Sequence, residues 1–145
     1  MIKVEVCVNS DSISTVHAAV QAAYRGGAST VELCSAMEFD GLTPPAEHIR
    51  EARTAFRERK GLMTMIRPRK GDFVYTHAER ETMERDILKA AEAGADGVVF
   101  GILQKEDNAI DARSLAHLIR TAQSCGLRTT FHRAFDAAPD EPARR

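Results

Sequence analysis

The sequence has no tryptophan, only three cysteines, 6% aromatic residues and a net charge of −1. Each shortage excludes something. Cys7, Cys34 and Cys125 are too few and too scattered for a disulfide framework, which points to a reducing, cytoplasmic setting. With 20 basic against 21 acidic side chains, no bulk field favours nucleic acid or an anionic membrane as partner. No apolar run approaches the roughly 18 residues that a membrane span needs. The opening MIKVEVCVNS lacks the basic start, apolar centre and small-residue cleavage site of a secretory signal. Nor does the chain contain Gly-x-Gly-x-x-Gly, a Walker loop, His-Glu-x-x-His, Cys-x-x-Cys or Gly-x-Ser-x-Gly. What is present is ordinary: 145 residues, 43% hydrophobic and 28% charged, enough to bury one core.

The order within that composition says more. Short β-branched runs at 2–8, 30–34, 62–67, 97–101 and 128–132 read as strands. Between them lie apolar stripes at helical spacing. Ile13, Val16, Val20, Ala23 and Tyr24 form the first, and Ile49, Ala52 and Phe56, behind Pro44-Pro45, the second. Met83, Ile87, Leu88 and Ala91 form the third, and Leu115, Leu118, Ile119 and Ala122, opened by Asp111 as N-cap, the fourth. Each helix is expected to close on a glycine, which tolerates the left-handed turn that ends helices, and Gly27, Gly61, Gly94 and Gly126 recur at intervals of 34, 33 and 32 residues. That is the length of one βα unit, so the repeat predicts a parallel sheet with crossover helices. The strand-to-helix loops at 35–43, 68–77 and 102–110 are the long ones. Long loops at the carboxyl ends of parallel strands are where such folds bind ligands.

The strands alternate instead of being apolar throughout. Val4, Val6 and Val8 share one face while Lys3, Glu5 and Cys7 share the other. Glu32 faces with Cys34, Met63 with Met65 and Arg67, and Thr130 with His132. One face under helices and one polar face suit a (β/α)8 barrel of the TIM type with an ionisable lumen. The alternative is an open flavodoxin-like parallel sheet with one solvated face. A full barrel takes about 250 residues. At this period the chain supplies five strands and four helices, so residues 1–136 are expected to form a partial barrel, truncated near the fifth helix. Residues 137–145 are expected to be a tail or the start of that helix.

Chemistry-bearing residues collect at the strand ends. Cys7 and Cys34, on adjacent strands and the same face, could supply thiolates to Cu(I) or, with His132, to Zn, or close a redox disulfide. A single cysteine per strand is also an ordinary small buried hydrophobe, and both readings stay open. Glu5 and Glu32 need partners if buried, and Arg67, Arg69, Arg133 and Lys3 are the available cations. Such a network can be purely structural. It can equally be a catalytic site in which Arg67, Arg69 and Arg133 bind a small anionic substrate while Glu5, Glu32 and His132 act as acid and base.

The strings VEVCVNS (4–10), VELCSAMEFDGLTP (31–44), MIRPRKGDFVY (65–75), GADGVVFGIL (94–103) and TFHRAFD (130–136) together resemble the CutC family of copper-homeostasis proteins. The resemblance implies a (β/α)8-type barrel, a cytoplasmic location, a tendency to form homo-oligomers, dimers in particular, and a copper ion held at Cys7 and Cys34. It assigns no reaction. Members of the family are longer than this chain. An unclosed barrel exposes a strand edge and apolar surface, so such a fragment is expected to pair or aggregate and could be an inactive product.

Overall fold

The computed structural model describes residues 2–140. Five strands, β1 (Glu5–Asn9), β2 (Thr30–Cys34), β3 (Leu62–Met65), β4 (Gly97–Phe100) and β5 (Arg128–Phe131), alternate with four helices. The helices are α1 (Ile13–Arg25), α2 (Ala46–Phe56), α3 (His77–Glu92) and α4 (Ala112–Ser124). All neighbouring strands are parallel, in the order β1-β2-β3-β4-β5. A flavodoxin-like sheet reverses its strand order once. Sequential order without reversal is instead the arc of a (β/α)8 barrel. The sheet does not close, and β1 and β5 are its two edges.

Local chemistry sets the boundaries. β1 begins at Glu5, three residues later than the alternation predicts, because its partner strand starts at Thr30 and the register joins Glu5 to Thr30. Ser12 with Thr15 caps α1, and Thr76 with Glu79 caps α3, each as a capping box. The Asp111 side chain accepts the Ser114 N–H to start α4, as expected. Other sequence expectations fail too, and Ile13, placed in the first apolar stripe, is exposed. Leu88 is exposed, and Ala90 joins Met83 and Ile87 on the buried face of α3. Gly61 does not end α2, which stops at Phe56. It stands instead where β3 passes the start of β2, since a Cβ there would lie 2.6 Å from the Ser29 carbonyl oxygen. The turn signal was a packing signal.

The core lies between sheet and helices. Val8, Val31, Leu33, Leu62, Val98 and Phe100 from the strands meet Val16, Val20, Ile49, Phe56, Ile87 and Leu118 from the helices. Full burial of each such side chain contributes roughly 1.5–3 kcal/mol. A smaller group, Cys34, Met63, Met65 and Val99, packs separately on the other face of the sheet. At the amino ends of the strands, the Asp96 carboxylate accepts the N–H groups of Gly61 (2.8 Å) and Leu62 (3.0 Å) and pairs with Arg53. That contact fastens β4 to β3 at the end opposite the long loops.

Candidate functional site

The lumen-side residues of β1 and β2 converge because the register is parallel and side chains repeat every second residue. Cys7 stands opposite Glu32, and Asn9 opposite Cys34. The two thiols and the Glu32 carboxylate therefore form a triangle, with their donor atoms all within 4.8 Å of one another. The Cys34 thiol donates to Glu32 Oε1 at 3.5 Å. Cys7 is exposed and Cys34 buried. Burial pushes the Cys34 thiol well above the usual cysteine range, helped by Cys7 and Glu32. Burial raises Cys7 too, with Glu32 adding to it. The Glu32 carboxyl is raised by burial against the pull of the Cys34 hydrogen bond. Protonated thiols of this kind are poor nucleophiles. Two sulfurs and one carboxylate at this spacing could, by contrast, hold one metal ion. Glu5, at the exposed end of the row, accepts the Thr30 hydroxyl at 2.7 Å.

The loop after β2 roofs this triangle. Ser35 and Leu42 bridge backbone to backbone, and between them Met37–Phe39 make a single 3-10 turn. Left-handed residues flank it, Ala36 at φ 48° and Asp40 at φ 65°. Gly41, at φ 88°, lets the loop fold onto β2, because a Cβ there would sit 3.3 Å from Cys34 Sγ and 3.4 Å from Met37 Sδ. Arg67 holds the loop from below. Its guanidinium donates to the carbonyls of Phe39 (2.8 Å), Gly41 (3.3 Å) and Gly71 (2.8 Å) and lies over the Phe73 ring. Its backbone N–H also donates to the Thr43 hydroxyl. A cavity of about 430 Å³ opens beside the triangle, lined by both thiols, Glu5, Glu32, Met37, Met65 and His132 among others.

The other residues singled out by the sequence occupy the rim. Arg69 pairs with Glu79 at 2.6 Å and Asp72 at 3.0 Å and donates to the Val74 carbonyl, tying the 68–77 loop to the start of α3. Arg133 pairs with Asp40 at 2.9 Å. The expected pairing of Glu5 and Glu32 with these arginines does not occur among the described residues. The arginines are engaged elsewhere, and the open face leaves Glu5 in water. His132 caps the turn after β5: its Nδ1 accepts the Ala134 N–H at 3.1 Å, so the proton of the neutral ring sits on Nε2. Burial and the nearby Arg67 lower its pKa to about 4. Sequence reasoning placed Met65 on this face without giving it a role, and it missed Met37 and Asp40. Only their place in or beside the long loop after β2 marked them. The expected tail lies partly outside the described residues, from 141 onward.

A parallel βα arc with its polar cluster at the carboxyl ends of the strands defines a barrel-type α/β protein with the ligand face in the usual place. The CutC family model matches residues 2–143, and the chain belongs to the CutC family. Among curated relatives, a CutC family protein of Agrobacterium fabrum is 45% identical over 138 residues, 94% of this chain and 49% of its own. One from Vibrio vulnificus is 43% identical over 134 residues, 92% of this chain and 50% of its own. The chain thus spans about half the length of the curated relatives it matches. A crystal structure of CutC from Streptococcus agalactiae, described in terms of copper homeostasis, superposes with a TM-score of 0.81 at 37% identity. It covers 96% of this chain and 62% of that one.

Proposed function

We propose that this chain carries a Cu(I)-binding site of copper homeostasis, with Cys7 and Cys34 as thiolate ligands and Glu32 beside them. The observation that carries the reading is the triangle of donor atoms within 4.8 Å at the ends of β1 and β2. Soft sulfur ligands favour Cu(I) over hard cations. The description of the Streptococcus agalactiae relative in terms of copper homeostasis supports the same ion. Copper here is cargo. Both thiols are protonated at neutral pH, so binding expels protons and affinity rises with pH. Glu32 is placed to accept the Cys34 proton, as its Oε1 already accepts that thiol's hydrogen bond. Reading the same face as an anion-binding catalytic site draws less support. The guanidinium of Arg67 is bonded to loop carbonyls, while Arg69 and Arg133 are paired with carboxylates.

Thiol alkylation tests the proposal, because Cys125 provides an internal control at the end of α4. One equivalent of Cu(I) is expected to protect exposed Cys7 from iodoacetamide while Cys125 reacts at its original rate. Equal alkylation of Cys7 with and without Cu(I) would overturn the copper reading.

A further inference from the structure

We infer that Met37 supplies a third sulfur to the metal held at Cys7 and Cys34, and that this thioether makes the site prefer Cu(I) to Zn(II). The inference rests on the copper reading and names a ligand that reading does not include. Met37 is an apolar side chain that stands 38% exposed at the mouth of the cavity. A hydrophobe in a surface turn usually reflects chance, but this turn is built. Ala36 and Asp40 flank it in the left-handed region, a conformation that is unfavourable for a non-glycine residue. The Ser35–Leu42 bridge and the Arg67 bonds to Phe39 and Gly41 hold it in place. The result is specific. Met37 Sδ and Cys34 Sγ lie 3.4 and 3.3 Å from one point, the position that a Gly41 Cβ would fill. Glycine keeps that space, which touches both sulfurs, free of a side chain.

The chemistry follows from the donors. Cys7, Cys34 and Glu32 alone, two thiolates and a carboxylate, would serve Zn(II) as readily as copper. A neutral thioether adds little for Zn(II) but is a good ligand for Cu(I) and its analogue Ag(I). Methionine has three rotatable bonds, so a small torsional change swings Sδ toward an ion at the thiols without moving the backbone. Met65, the other thioether lining the cavity, packs with Cys34, Met63 and Val99 and lies on β3 instead of the loop over the thiols, so the Met37→Leu variant distinguishes the two.

The test uses selenomethionine-labelled chain, which places selenium at each of the 5 methionines, loaded with Cu(I) alone. Copper-edge X-ray absorption is expected to show a Cu–Se shell in the wild type and none in Met37→Leu. In parallel, competition against a chromogenic Cu(I) chelator is expected to show about tenfold weaker Cu(I) binding in Met37→Leu, a difference of ~1.4 kcal/mol. Zn(II) affinity should stay within about twofold. Absence of a Cu–Se shell in copper-loaded wild type, or its persistence in Met37→Leu, would overturn the assignment while leaving the thiol site standing. A wild type that takes up no Cu(I) would bring down the underlying function instead. Circular dichroism of Met37→Leu separates loss of a ligand from loss of the fold.

Discussion

Single residues on the site face belong either to the Cys7–Glu32–Cys34 triangle or to the support of the loop above it, and the two kinds fail differently. Arg67 is 4% exposed and bonded to three carbonyls. Arg67→Ala would leave those carbonyls and the Phe73 ring without their partner, costing about 3 kcal/mol. A urea titration checks this; a loss under about 1 kcal/mol would contradict it. His132 gives a pH signature. Its pKa is lowered to about 4, below the unfolded value of about 6.5. Between those values the unfolded chain binds a proton that the folded one does not, so stability falls as pH drops from 6.5 to 4. Comparing urea midpoints of wild type and His132→Asn across that window should show a larger loss in the wild type. The cysteines and Glu32 were legible in the sequence, because strand alternation puts them on one face. The part played by Arg67 was not. Its partners are main-chain carbonyls of two loops, and no side-chain pattern records where those lie.

At the level of elements, the two ends of the strands do separate work. The carboxyl ends carry the donors, and the amino ends carry the Asp96 contact with β3 and α2. Burial alone would raise the Asp96 carboxyl, but the Leu62 and Gly61 N–H groups and Arg53 outweigh it and hold it below the usual range. With its folded pKa depressed, Asp96 adds stability above about pH 3.9, and this is lost as pH falls through the folded value. Asp96→Asn is expected to cost about 2 kcal/mol in chemical denaturation at pH 7 and to leave Cu(I) affinity unchanged. A matching loss of copper affinity would show the two ends to be coupled. All five strands and four helices were readable from periods of two and 3.6. The errors came where an element's limit depends on a neighbour, as at the start of β1, or where a glycine serves packing, as at Gly61.

At the scale of the molecule, the chain forms an arc with two unpaired edges, β1 and β5, and the cavity opens on its concave face. Arg128, Thr129 and Thr130 are exposed along β5, with no covering helix or bulge among the described residues. The 145-residue chain is therefore expected to self-associate: sedimentation at tens of micromolar should give species heavier than 15.9 kDa. A monomer at every concentration would contradict that. Strand alternation and the βα repeat together made the barrel-type fold legible in the sequence, and the strand order bears it out. The proposed metal site was legible as two cysteines on one face, with Glu32 read there as an acid or base, because the donor triangle depends on inter-strand register, which a single sequence does not print. The measurement that bears most directly on the account is Cu(I) stoichiometry, read by competition with a chromogenic chelator in wild type and in Cys7→Ser/Cys34→Ser. One tightly held ion per wild-type chain, with none in the double variant, is the expected result. Equal uptake and equal affinity in the two proteins would contradict it.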